Sequence, residues 1–251
     1  MNLNRYLCLG FLILSFSSHA YEDVIIKRFL KLYPKIETAY GVKELKIKKS
    51  FSDRFEMHAS FDQKNQPFIQ YSAITIEDTQ HTPNAFVLLL CHELGHFLGG
   101  PPYKITAKGS PSWSSSEGQA DYYATAVCLK KYYETFTPLS KIQMKSAGNL
   151  NQESGEVDDL CADSNIKFCR EMLSSSLKLS QVFAKYAHFP YPLSLKEKDF
   201  YQTNKTILSY PNPQCRLDTL VAGAFCKNKT FEECQKSLSE ISARPTCWFV
   251  H

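Results

Sequence analysis

The sequence predicts an α+β protein, mainly α, in which a small antiparallel sheet packs beside one buried helix. Three patterns carry that expectation. Val24, Ile25, Phe29, Leu32 and Ile36 recur near helical spacing, residues 54–61 and 68–77 alternate and carry β-branched side chains, and residues 85–98 are almost wholly apolar. A chain of 251 residues, 43% of them apolar, with no low-complexity tract or internal repeat, can bury one core. A single domain over 21–251 is expected.

Residues 1–20 read as a signal peptide. Arg5 precedes an apolar run from Leu7 to Phe16, and Ser18-His19-Ala20 supplies small residues where a signal peptidase cuts, so the mature chain starts at Tyr21. The run is short for a bilayer, and no later segment reaches the length of a span, so no stable membrane span is expected after cleavage. A helix over 23–40 follows, with Gly41 able to end it. Strands over 54–61 and 68–77 flank the hairpin loop Asp62-Gln63-Lys64-Asn65-Gln66-Pro67. Thr82 is placed as the N-cap and Pro83 as the first residue of the apolar helix, and Gly99-Gly100-Pro101-Pro102 stops it. Residues 103–116 and 146–163 read as polar loops; Glu153, Glu156, Asp158 and Asp159 lack the alternation of a calcium loop. Helices over 166–188, 214–226 and 231–241 complete the order.

Cysteine usage fits export to the periplasm or outside. Without Cys8 the chain keeps an even set, which suits an oxidising compartment. Nearness suggests Cys161 with Cys169, and Cys226 with Cys234 nested inside Cys215 with Cys247. Cys91 and Cys128 either staple two helices or remain reduced in the core. The formal net charge of +4 is mild, and its lysines are spread out rather than gathered with aromatics into a patch, so no nucleic-acid partner is expected. Oligomeric state is not legible.

Chemistry is concentrated in His92-Glu93-Leu94-Gly95-His96. On a helix the two imidazoles lie on one face and can share an ion, while Glu93, one step round, can reach a water on it. Such a string can arise by chance, so its context matters. A buried helix gives the His and Glu side chains a need for partners, which coordination would meet. Downstream, Glu117 and Asp121 stand four apart: Glu117 can complete the ligand set, and Asp121 can accept a hydrogen bond from the free ring N–H of a ligating His.

H-E-x-x-H followed by E-x-x-x-D resembles the gluzincin metallopeptidases. The tighter form E-x-x-A-D-x-x-A, here Glu117 to Ala124, resembles the HtpX, Oma and CAAX-prenyl-protease-type family. The resemblance implies a zincin-like core, one Zn2+ held by His92, His96 and Glu117, and Glu93 as general base and acid. That family also carries a late His-Pro-x-x-x-x-Arg element. This chain has Tyr210-Pro211-Asn212-Pro213-Gln214-Cys215-Arg216, with Tyr where His is expected. Tyr210 can still donate to a developing oxyanion and Arg216 keeps its place, or the segment is only a Pro-rich turn entering a helix.

The expected function is an exported zinc metalloendopeptidase acting on an unfolded or extended polypeptide. The alternative is a catalytically silent zinc-binding or chaperone-like module of the same fold. The substrate is expected to add as a strand beside Ile74 to Glu77. His188 is a second candidate for the oxyanion, against pairing with backbone carbonyls at a helix end. Trp113 either lines the substrate pocket or anchors its loop. His58 and His81 receive no role.

Overall fold

The structure, a computed structural model, describes residues 10–79, 83–136, 154–162, 164–228 and 230–251. Arg5, His81, Thr82, residues 146–153 and residue 163 lie outside the described residues, and with them the start of the expected signal peptide and the N-cap assigned to Thr82.

Helix α1 spans Gly10–Leu32 and runs through the expected cleavage point between Ala20 and Tyr21. It stops eight residues short of the helix expected over 23–40 because Pro34 disfavours helical geometry at the residue before it. Ile36 is buried from a strand instead. Strand β1 (Lys35–Thr38) pairs antiparallel with β2 (Gly41–Glu44) across a tight turn, and Gly41 takes the positive φ of 88° that the turn requires.

A second sheet has the order β3-β5-β4, from β3 (Lys46–Ser50), β4 (Met57–Phe61) and β5 (Pro67–Ser72). The expected hairpin is present as β4 and β5, antiparallel around residues 62–66. The sheet is nevertheless mixed, because β3 joins β5 in parallel. The lysines around Ile47 hid β3: Lys46 and Lys48 lie exposed on this edge strand, while Lys49 reaches the buried Glu22.

The strand expected to run to Glu77 ends at Ser72. Ser72 Oγ accepts from the Thr75 N–H at 3.2 Å, in the manner of an N-cap, and helix α2 (Ala73–Thr79) begins there. Ile74 to Glu77 are therefore helical and offer a substrate no strand edge. Both β3 and β4 are edges of this sheet, and β4 is the one whose residues line the cleft described below.

Helix α3 (Pro83–Leu98) carries the motif and is buried from Pro83 to His96. Beyond it, residues 103–116 form a hairpin rather than a bare loop, β6 (Tyr103–Ile105) against β7 (Pro111–Ser115). Helix α4 (Glu117–Tyr123) continues through a π-helical stretch (Ala124–Leu129) into α5 (Lys130–Thr135). The acidic segment holds a short helix, α6 (Ser154–Ala162). The long amphipathic helix α7 spans Cys169–Tyr186, entered from Phe168 at φ 62° and left by His188 at φ 49°. Helix α8 (Pro213–Phe225) starts at Asn212, whose side chain accepts from the Cys215 N–H. The last helix, α9 (Phe231–Gln235), is shorter than the expected 231–241 and is held by a capping box between Thr230 and Glu233.

One apolar cluster joins these elements, from Ile25 and Phe29 of α1 through Phe86 to Leu94 of α3 to Leu217 and Leu220 of α8. All four disulfides form: Cys161–Cys169, Cys215–Cys247, Cys226–Cys234, and Cys91–Cys128, which staples α3 to the π-helical stretch. No helix among the described residues is long and apolar enough to cross a membrane.

Candidate metal centre

Helices α3 and α4 meet in the core, and their contact builds the site. His92 and His96 stand one turn apart, and Glu117, the first residue of α4, reaches between them. Its Oε2 lies 3.2 Å from His92 Nε2 and its Oε1 3.7 Å from His96 Nε2. Ligand atoms about 2.0 to 2.1 Å from a tetrahedral zinc ion stand roughly 3.3 Å apart, so this spacing fits such an ion.

The outer nitrogens of both rings are already committed. His92 Nδ1 lies 2.7 Å from Asp121 Oδ1, and His96 Nδ1 lies 2.9 Å from the Ser115 carbonyl oxygen. With Nδ1 committed outward, each ring turns Nε2 inward, the nitrogen that a metal would take once its proton is gone. Asp121 is held in turn by Arg216, whose Nε and second guanidinium nitrogen donate to its two oxygens at 2.8 and 2.9 Å. The guanidinium carbon of Arg216 stacks 3.6 Å from the Phe183 ring centroid.

Charge and burial set the electrostatics. Burial opposes ionisation of Asp121, but Arg216 and then His92 hold its carboxyl below the ordinary value. Burial likewise opposes the charged form of Arg216, and Asp121 outweighs it. His92 is penalised by burial yet raised to about 9 by Asp121, whereas His96 is pushed down to about 3 by burial and the neighbouring His92. Glu117 sits well below the carboxylate range, the hydrogen bond and charge of His92 overcoming its desolvation. Glu93 is the opposite case: burial raises it to about 7.

Glu93 Oε2 is buried without a hydrogen-bond partner, and Glu117 Oε2 has only His92 Nε2 near it among the described residues. Inward-facing imidazole nitrogens and the Glu117 carboxylate, with Glu93 buried beside them, make a donor set that fits zinc.

The site opens on a cavity of about 760 Å³ whose walls include β4, Leu89, Phe183 and Tyr186. Tyr210 stands at its rim, 72% exposed, its phenol raised to about 12 by the charge of Glu117 and then by burial. Trp113 serves both readings, since it lines the cavity and stacks on Phe97 at 5.0 Å between ring centroids. His58 also lines the wall, paired with Glu56 at 3.2 Å. His188 is not part of that lining.

The sequence reading thus placed His92, Glu93, His96, Glu117, Asp121 and Arg216 in one cluster, and the structure brings them together, with Tyr210 above. It missed Lys104, whose Nζ donates to Glu117 Oε1 at 2.6 Å from the middle of β6. It also missed Ser114 and Ser115, which meet His96. Nothing local marks these residues; only the return of β7 towards α3 does.

Compared with family models, curated proteins and solved structures, the chain matches none.

Proposed function

We propose that this chain is an exported zinc-dependent peptide hydrolase. The observation that carries the reading is the convergence of His92 Nε2, His96 Nε2 and the Glu117 carboxylate in the core, with Glu93 Oε2 buried beside them and lacking a hydrogen-bond partner. His92, His96 and Glu117 would hold the ion. Zinc, when bound, polarises an amide carbonyl and lowers the pKa of water towards about 7.

The remaining work falls to the chain's own side chains. Glu93, 4.0 Å from His96 Nε2 at its Oε2, takes the proton of the attacking water and returns it to the leaving nitrogen. Its raised pKa suits both transfers near neutrality. Tyr210 donates from its hydroxyl to the carbonyl oxygen as that oxygen gains charge. Arg216 acts through Asp121 and keeps His92 oriented. An extended polypeptide is aligned by the edge strand β4, whose residues from Met57 to Ala59 form one wall of the cleft. The four disulfides support export to an oxidising compartment.

The test measures zinc stoichiometry and cleavage of unfolded casein for the wild type and Glu93→Gln. One zinc per chain in both is expected, with turnover lost on chelation and reduced at least 10²-fold in the variant. Zinc uptake without any cleavage by the wild type would favour the silent module instead.

A further inference from the structure

Two cationic side chains approach the proposed ligand set: Arg216, whose guanidinium nitrogen lies 3.4 Å from His92 Nδ1 and is committed to Asp121, and Lys104, whose Nζ meets Glu117 from the cleft side. Lys104 stands on the three-residue strand β6, with its side chain one-third exposed and its Nζ on Glu117 Oε1. Among the described residues that oxygen is its sole hydrogen-bond acceptor. An ammonium has three N–H donors, so two remain to be satisfied from the cleft.

The position of this ammonium is equally informative. Lys104 and Glu117 both line the 760 Å³ cavity, and both line a second cavity of about 610 Å³ formed with residues 205–210. Lys104 therefore sits where the two halves of the cleft join, at the reaction centre. Its Nζ lies 5.9 Å from the centroid of the Tyr210 ring, so the two donors share one side of Glu117. Without a metal, Glu117 balances this ammonium. When Glu117 serves a divalent ion as well, its single negative charge no longer balances the ammonium, and a preorganised positive charge is left facing the place where an amide oxygen becomes anionic.

We propose that Lys104 is a catalytic residue, which donates a hydrogen bond from Nζ to the oxygen of the scissile carbonyl while the tetrahedral species forms. The proton stays on the nitrogen throughout; Lys104 stabilises charge and transfers nothing. Tyr210, exposed at the rim, then supplements this donor. The inference rests on the hydrolase reading.

Lys104→Met and Lys104→Arg separate it from a structural role. In zinc-loaded protein, Lys104→Met is expected to lower kcat on casein-derived peptides by about 10² to 10³-fold with KM changed little, as for loss of one oxyanion donor. Calorimetry with a phosphonamidate peptide, an anionic mimic of the tetrahedral species, should show weakening by a similar factor. Lys104→Arg should recover part of both. Zinc content and thermal midpoint should match the wild type. A Lys104→Met protein that binds the mimic as tightly as the wild type, or that fails only because it has lost zinc, overturns the proposal and leaves the hydrolase reading standing. A wild type that takes up no zinc or cleaves nothing removes that reading, and Lys104 with it.

Discussion

Gly95 lies against the backbone of Ala120 so closely that a methyl group on Gly95 would stand 2.7 Å from the Ala120 carbonyl oxygen and 2.8 Å from its Cα. The two residues mark the crossing of α3 and α4. Three residues before each stand His92 and Glu117, whose side chains meet at 3.2 Å. The glycine inside the motif thus sets how near the second helix can come, and hence whether Glu117 reaches the imidazoles.

Gly95→Ala should therefore damage the site through the backbone. Atoms at such distances must move, and here the obstacle is main chain rather than a flexible side chain. A cost of about 1 to 3 kcal/mol in stability is expected, with zinc affinity at least 10-fold weaker because Glu117 is carried away. Urea unfolding and chelator competition measure the two effects. Wild-type zinc affinity in this variant would show that the crossing is not what positions Glu117.

Asp121 and Arg216 form a buried pair that reaches the metal only through His92. Asp121→Asn preserves shape but removes the charge that orients His92 Nδ1–H, and should weaken zinc binding by about 10- to 100-fold. Arg216→Met leaves Asp121 with an uncompensated buried charge and should destabilise the fold by about 3 to 5 kcal/mol. The double variant should be more stable than Arg216→Met alone. If the two effects simply add, the pair is not coupled in the manner its geometry requires.

Much of this site was legible because its signals are local. His92 and His96 lie one turn apart, Glu117 and Asp121 another, and Pro83 and the Gly-Gly-Pro-Pro stop bound the first helix. Sequence nearness also gave three of the disulfides, while the fourth, Cys91–Cys128, needed the two helices in place to choose between a staple and free thiols. The fold was less legible where a long-range contact overrode a local pattern. The helical spacing of residues 23–40 continues past Pro34, yet Ile36 finds its burial in a strand. Lysines 46, 48 and 49 disguised an edge strand that is paired in parallel with one more than twenty residues away. Lys104 was invisible for the same reason: a basic residue in a Ser- and Pro-rich segment gains its meaning only when β6 and β7 fold back over Glu117.

Glu93 supplies the pH dependence. In the metal-free protein its carboxyl is raised from 4.5 to about 7, first by desolvation, which the charge of His92 and the Ala59 backbone N–H oppose only in part. A raised carboxyl pKa means that the folded state binds its proton more tightly than the unfolded state. The resulting stability is fully present below 4.5 and is lost as pH rises through 7, a change on the order of 3 kcal/mol. Comparing urea unfolding of metal-free wild type with Glu93→Gln across that window isolates this group, because Gln does not titrate; the wild type should lose stability relative to the variant as pH rises. Catalysis runs the other way. The base must be ionised, so kcat/KM should climb with unit slope and level off above a midpoint that the nearby divalent ion draws below 7. A rate that stays flat between pH 4.5 and 8 would take the proton-transfer role away from Glu93.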